Sequence, residues 1–460
     1  MARLAMPPSL FNVRQTVRPV RLTWRWFCYL VVRAFYRRAE VRGMEYFPVT
    51  GSALVCANHP SALVDAIVVQ AACPRIVHPL ARSGLFKNPL MWPILKMIQA
   101  VPIFRRQDAS DTTRNQDSFA QCYAMLKQGA ALMIFPEGES HSDPGMRGFK
   151  TGAARLALGA QTVNGQAPVV VPVGLNYTDV GRFRSSVLVK FGRPLPIEVR
   201  AGETPEQAAV RITESIRTAL ERITLNPNSW AELETLRKLE RFFALRNEKY
   251  RKRSLDQRFR ALQKLLSTQQ RLRMSDPERV ERMRDQLDRF DRICRRVGIA
   301  DYHLTVSYTP RIVTRFIVRS LVMLFLALPL GLWGAANSLL AFVLTKRLAV
   351  ALSNDRYQYD TAKICLGMGF FSAFWAAQSY LVYRWTDLNT ALIYAATLLP
   401  ATMLALYMRR ERERIYDNIR VFYLFSRENE LREFLKERRR ELEKEIRHLV
   451  FQAMETEHAA

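Results

Sequence analysis

Between residues 41 and 199 the chain alternates short apolar runs with helical stretches, and this alternation constrains the fold more than any other feature. The runs 52–57, 76–81, 101–104, 131–135, 169–175 and 187–191 have the length and β-branched content of buried strands. Helical patterning fills much of the space between them, most clearly at 112–128 and 150–163. Such alternation predicts an α/β domain with a mostly parallel sheet flanked by helices, because parallel strands need crossover connections that also cover the sheet faces. Reactive groups in sheets of this kind gather where strands end and loops begin.

A chain of 460 residues exceeds one ordinary domain, and its formal charge of +27 points to a polyanionic neighbour, a lipid surface or nucleic acid. The six cysteines are scattered without Cys-x-x-Cys spacing, so neither a metal site nor a disulfide framework is expected, and a reducing compartment fits. Residues 1–11 lack the pattern of a cleavable signal peptide, which places the soluble part in the cytosol.

Residues 1–40 interleave arginines with Trp24, Trp26, Phe27, Tyr29 and Phe35, the composition of an amphipathic helix at a lipid interface. The α/β pattern occupies 41–203. A charged helical region follows at 204–310, opened by the capping-box sequence from Thr204 to Gln207. Its apolar positions Val280, Met283, Leu287, Phe290 and Cys294 repeat near a heptad. The charged helix at 409–460 carries a similar stripe of Leu431, Leu435, Leu442 and Ile446, so the two are expected to pack together.

Residues 311–408 form the membrane region, in which 321–344, 364–383 and 388–408 are each long and apolar enough to cross a bilayer. Lys363 precedes the second segment and Arg409, Arg410, Arg412 and Arg414 follow the third, so the positive-inside rule makes these two a hairpin with cytosolic ends. Cations flank the first segment on both sides, and Pro329, Gly331, Gly334 and Asn337 interrupt it, which predicts a bent, re-entrant or paired element. The expected placement is an integral membrane protein with its α/β domain on the cytoplasmic face.

Asn58-His59-Pro60 closes the first of the main apolar runs and is followed by Asp65, which sets an imidazole near a carboxylate at a strand-to-helix turn. A general base and its orienting group have this arrangement, and an ordinary helix N-terminus can have it too. Three further motifs lie at later strand ends: Val101-Pro102-Ile103-Phe104-Arg105-Arg106, Phe135-Pro136-Glu137-Gly138-Glu139-Ser140 and Val171-Pro172-Val173-Gly174. Together, in this order, the four resemble the glycerophosphate acyltransferase superfamily over about residues 41–199.

The resemblance implies transfer of a fatty acyl group from an acyl thioester to a glycerol phosphate hydroxyl. His59 is then the base and Asp65 its orienting partner; Arg105 and Lys150 are implied phosphate contacts, with Arg106 beside them. Glu137 and Gly138 match the substrate-binding Glu-Gly pair, and Pro172 is expected to shape a loop at the substrate site. No cofactor is implied; the thioester, of coenzyme A or a carrier protein, is a co-substrate. Cys56 and Ser61 stand near His59 as nucleophiles for a covalent route, although direct attack by the hydroxyl requires none.

Two departures from the commonest pattern bear on the acceptor. Five residues separate His59 from Asp65 where four are usual, and Ser140 stands where many members have arginine, leaving phosphate binding to Arg105, Arg106, Arg147 or Lys150. Both resemble the branch that acylates glycerol 3-phosphate, giving lysophosphatidic acid, or dihydroxyacetone phosphate. Lysophosphatidic acid itself is the alternative acceptor. A non-catalytic basic membrane protein or nucleic-acid binder is the reading outside enzymology, but no zinc-finger or aromatic RNA-binding motif accompanies the arginines.

Overall fold

The computed structural model describes residues 19–89, 91–105, 112–246, 253–299, 301–304, 310–322, 325, 327–353 and 359–459. They divide at Trp230 into two compact units, with Ser254–Phe259 and Ser353–Thr361 belonging to the first.

In the first unit, helix α1 (Pro19–Phe35) leads into β1 (Arg38–Arg42), β2 (Ala53–Ala57), α2 (Ala62–Ala72), β3 (Val77–Arg82), α3 (Trp92–Met97) and β4 (Val101–Ile103). Then follow α4 (Asn115–Lys127), β5 (Ala131–Ile134), α5 (Gly152–Asn164), β6 (Val169–Tyr177), β7 (Ser186–Phe191) and α6 (Pro205–Glu221). The seven strands form one sheet in the order β1-β7-β6-β2-β5-β3-β4. Every neighbouring pair is parallel except β6 with β7. The sheet is therefore mostly parallel, as the alternation predicts. All five residues of β2 are buried, which fits a central strand covered on both faces.

The compact unit continues past the expected boundary at 203. Thr204 caps α6 through a capping box with Gln207, and the helix buries Ala209, Ile212, Ile216 and Leu220 in the same core as α5 and β2. Ala153, Ala154, Ala157 and Ala160 of α5 lie in that core, where small side chains permit close helix approach. At the other end, α1 buries Cys28, Val32 and Phe35 and packs on α2. Its Arg25 is buried as well, donating to the Cys73 carbonyl at 2.9 Å. One side of α1 is thus committed to the α/β unit, whereas Leu30 is exposed. Arg18 lies outside the described residues.

The stretch before β4 buries Leu95, Ile98 and Ala100, with Trp24, Ala81, Leu85, Phe86, Met91 and Met97 against them. Trp92 remains half exposed beneath Lys96, whose Nζ is 4.9 Å from the ring centroid.

In the second unit, α7 (Trp230–Arg246), α8 (Leu255–Ser275), α9 (Pro277–Val297) and α10 (Pro310–Val322) precede three long helices, α11 (Leu328–Ala351), α12 (Tyr359–Trp385) and α13 (Leu388–Arg427), and a final α14 (Asn429–Ala459). The first turn of α8 belongs to the first unit. Met283, Leu287, Phe290 and Cys294 of the α9 heptad and Leu435, Leu442 and Ile446 of the α14 stripe are buried in one cluster with Leu239 and Phe242 of α7 and Val421 and Phe425 of α13, and Leu431 packs against it. The two stripes do pack together. Asp288 pairs with Lys238 of α7 at 2.6 Å, and Lys238 is held above its ordinary pKa by the two carboxylates of Asp288 and Glu234 despite partial burial.

Among the described residues, three helices are long and apolar enough to cross a membrane: Leu328–Ala351, Thr361–Trp385 and Leu388–Arg409. No re-entrant turn interrupts the stretch from Pro329 to Asn337, because α11 is one continuous helix there. Pro329 falls in its first turn, where a missing N–H costs nothing. Gly334 lies against α13 so closely that an added Cβ would be 2.1 Å from the Ala401 carbonyl oxygen. Asn337 returns its amide to the Trp333 carbonyl, and Tyr394 donates to Asn337 Oδ1 at 2.6 Å. The helix-breaking residues serve close packing and hydrogen bonding between helices instead of a turn.

Candidate active site

His59, Arg105, Glu137, Gly138 and Lys150 lie at the C-terminal edge of the sheet, in the loops after β2, β4 and β5, with Asp65 in α2. After β2, Asn58 continues the ladder with its side chain: Nδ2 donates to the Leu175 carbonyl at 3.1 Å and Oδ1 accepts from the Leu175 N–H at 2.7 Å. This fixes the backbone one residue before His59. The imidazole stacks on Phe135 at the end of β5, centroids 3.8 Å apart and planes within 10°. Nδ1 lies 2.9 Å from Asp65 Oδ2. That bond assigns the proton to Nδ1 and leaves Nε2 as the basic nitrogen.

Asp65 is fully buried in the first turns of α2. Besides His59, Oδ2 accepts the Ser61 N–H at 2.7 Å, and Oδ1 accepts the Tyr177 hydroxyl at 2.6 Å. Three donors fix the carboxylate's orientation. The five residues between His59 and Asp65 include the helix start, where Ala62 adopts φ 45°. A residue with a Cβ pays about 1–2 kcal/mol for that left-handed conformation. The five-residue spacing is thus compatible with contact between the two side chains.

Glu137 is placed differently from expectation. Its carboxylate is turned inward and buried: Oε1 accepts the His59 backbone N–H at 2.7 Å, while Oε2 accepts from the Arg147 N–H at 2.9 Å and from His141 Nε2. His141 Nδ1 accepts the Asp143 N–H at 3.2 Å, so the proton is on Nε2 and the ring is a neutral donor to Glu137. Glu137 neither caps a helix nor presents its oxygens to solvent. It ties the His59 turn to the loop after β5.

Gly138 follows with φ 76°, a conformation glycine tolerates. Its carbonyl accepts from Arg105 Nη1 at 3.0 Å, and the Lys150 side chain lies across it, where an added Cβ would come within 2.7 Å of Lys150 Cδ and 2.9 Å of Nζ. Lys150 N–H also donates to the Pro136 carbonyl at 2.8 Å. Arg105 and Lys150 therefore converge on the loop that holds His59. Arg106 lies outside the described residues. Arg147 is engaged on the surface by Asp143 and Glu139, which raise its pKa. Arg105 itself is set by its neighbour Phe104, whose backbone N–H and carbonyl are both held by Asn115 at 2.9 and 2.8 Å.

Pro172 does not shape a loop. It is buried within β6, paired with Cys56 of β2. Its carbonyl accepts the Gly192 N–H just beyond the end of β7, so the side on which a proline lacks a donor is where the β7 ladder stops. Cys56 and Ser61 are fully buried, and burial pushes the Cys56 thiol up to about 12. Neither is placed as a nucleophile. Among the described residues, no cluster of His, Cys, Asp and Glu could hold a metal ion.

Tyr177, Asn58 and His141 emerge only from the structure as parts of this network. A polar pair, Asn176-Tyr177, ending an apolar run beside the central strand was the available signal for the first.

An acyltransferase family model matches residues 38–176. Glycerol-3-phosphate O-acyltransferase 2 of Saccharomyces cerevisiae is 29% identical over 134 residues, which cover 28% of this chain and 18% of the yeast protein. The human 1-acyl-sn-glycerol-3-phosphate acyltransferase alpha is 30% identical over 200 residues, covering 41% of this chain and 65% of its own length. The chain thus spans less than two thirds of the length of either relative. Among solved structures, the 1-acyl-sn-glycerophosphate acyltransferase of Thermotoga maritima aligns with 46% of this chain and 84% of its own at 20% identity and a TM-score of 0.34.

Proposed function

We propose that this chain, whose residues 38–176 are an acyltransferase domain of the glycerophosphate acyltransferase superfamily, transfers a fatty acyl group from an acyl thioester to the hydroxyl of glycerol 3-phosphate or dihydroxyacetone phosphate. The observation that carries this reading is the His59–Asp65 pair, with Nε2 left basic, joined through Glu137 and Gly138 to Arg105 and Lys150. Arg105 and Lys150 supply a forked and a point-charge donor for the acceptor's phosphate. The phosphate then fixes the distance of the hydroxyl from His59.

In the proposed reaction Nε2 takes the hydroxyl proton as the oxygen attacks the thioester carbonyl. The carbon–sulfur bond breaks, and the imidazolium returns the proton to the departing thiolate. Asp65, held by three donors, keeps the ring oriented and stabilises the imidazolium. The oxygen–carbon bond forms without an acyl-enzyme, consistent with the burial of Cys56 and Ser61. Products are lysophosphatidic acid, or its keto analogue, and free thiol.

Three apolar helices suit membrane attachment, which brings the site to its lipid substrate and product. Arg409, Arg410, Arg412 and Arg414, which follow the apolar part of α13, favour a cytosolic domain. A second reading, with lysophosphatidic acid as acceptor, is favoured by the larger share of the human relative that aligns.

Membranes carrying the protein should release thiol from an acyl thioester only when a glycerol phosphate is supplied. His59→Ala should abolish release at unchanged thermal stability; retained turnover would sink the assignment of the base. Higher kcat/KM with lysophosphatidic acid than with glycerol 3-phosphate would select the second reading.

A further inference from the structure

Tyr177 is the last residue of β6, one position beyond the stretch matched by the family model and outside all four sequence motifs. Its hydroxyl reaches the oxygen of Asp65 that does not face His59, at 2.6 Å. We propose that Tyr177 is a positioning residue for acyl transfer, acting on His59 through Asp65. The inference rests on the reading of His59 as base.

Three observations support it. First, a carboxylate on a single β-carbon can rotate about its Cβ–Cγ bond, and a donor on the second oxygen adds to the restraint that the donors on Oδ2 provide. The Ser61 N–H and His59 Nδ1–H both lie on Oδ2, and the Tyr177 hydroxyl holds Oδ1. Second, the two ends of this bond come from rigid elements. Tyr177 is paired with Val187 of β7, two residues beyond Leu175, which Asn58 holds on the other side, while Asp65 is buried in α2. Third, the phenol is itself packed, its ring centroid 5.7 Å from that of buried Tyr36, directly after α1. The hydroxyl is therefore delivered by a fixed ring.

The chain Tyr36, Tyr177, Asp65, His59 runs from the end of α1 to the basic nitrogen. A group that controls the orientation of a base acts on the transition state more than on ground-state binding, so its removal lowers kcat and leaves KM nearly unchanged. The phenylalanine variant keeps the ring and its packing on Tyr36 and removes only the hydroxyl.

Tyr177→Phe should lower kcat by about ten- to a hundredfold, with KM for both substrates within about twofold of the parent. The decisive measurement is a double-mutant cycle with Asp65→Asn. If Tyr177 acts through Asp65, adding Tyr177→Phe to Asp65→Asn costs less than about twofold further. Full, multiplicative losses, or a Tyr177→Phe variant with parental kcat, would overturn the proposal while leaving the assignment of His59 standing. His59→Ala with retained turnover would instead remove the reading on which it depends. Thermal unfolding of each variant accompanies the kinetics, and a kcat loss matched by unfolding at the assay temperature counts against positioning.

Discussion

Glu137→Gln separates two roles for the residue that its sequence motif leaves undistinguished, contact with the glycerol moiety and internal bracing. In the structure three donors converge on a buried carboxylate: the His59 and Arg147 backbone N–H groups and His141 Nε2. Glutamine keeps an oxygen for the His59 N–H but turns an amide NH2 toward the other two. Flipping the amide only changes which donors are opposed. His141 can relieve one clash by moving its proton to Nδ1, but Nδ1 then faces the Asp143 N–H that it now accepts. Hydrogen bonds to a charged group contribute about 1.5–3 kcal/mol each, so losing or weakening two, with partial relaxation, costs about 3 kcal/mol. For a unit of this size that lowers Tm by about 6–12 °C. Because Glu137 Oε1 sets the His59 backbone, kcat should fall in the folded variant as well. Thermal unfolding in detergent, followed by steady-state kinetics below the transition, reads both effects. A variant with parental Tm and kcat and a KM for glycerol 3-phosphate raised tenfold would refute the bracing role and restore the substrate contact.

Gly138→Ala introduces a Cβ 2.7 Å from Lys150 Cδ at φ 76°, costing about 1–2 kcal/mol of backbone strain and displacing the lysine. KM for the phosphate-bearing acceptor should rise more than KM for the thioester, and equal KM values would remove Lys150 from the phosphate site. Burial pushes the thiols of Cys56, Cys73 and Cys122 up to about 12, so these groups stay protonated and shielded at pH 8. The folded enzyme should keep its activity under N-ethylmaleimide, checked by mass mapping; inactivation that tracks modification of Cys56 would revive a covalent route. In the membrane region, Gly334→Ala sets a Cβ 2.1 Å from the Ala401 carbonyl oxygen and should cost about 1–3 kcal/mol, whereas Gly369→Ala meets nothing within 4 Å and should be neutral or mildly stabilising. Tm values in detergent compare the two, and equal values would refute the close crossing of α11 and α13.

The strands that bury both faces were legible because burial imposes an apolar run, and each of the six expected runs overlaps an observed strand. β1 was not. Its sequence, Arg38-Ala39-Glu40-Val41-Arg42, belongs to an edge strand, and the buried Glu40 is paired with Arg38 and Arg42 on either side of it. Local pattern carries no record of such a pairing. The fate of α11 differs for a related reason: Pro329, Gly331, Gly334 and Asn337 have one meaning in an isolated helix and another against α13, because a neighbouring backbone at contact distance makes the small residues packing surfaces.

The candidate site divides along the same line. His59 and Asp65 could be named from residue type at a strand end, whereas Arg105, Gly138 and Lys150 could be named only through the resemblance of their motifs to the acyltransferase family, since surface cations are common in this chain. What the sequence could not supply is direction. Glu137 and Pro172 belong to the same motifs, yet one carboxylate faces inward to the His59 backbone and the proline is buried inside β6. Tyr177 reaches Asp65 across 112 positions of sequence, through the register of β2 with β6 that Asn58 extends to Leu175. The same register bears on the His59–Asp65 gap. Asn58 fixes where the strand ends and Tyr177 fixes where the carboxylate must be, so the extra residue is accommodated between two fixed points, with Ala62 in the left-handed region. The five-residue spacing in the first motif therefore keeps base and carboxylate in contact at 2.9 Å through the way the helix begins.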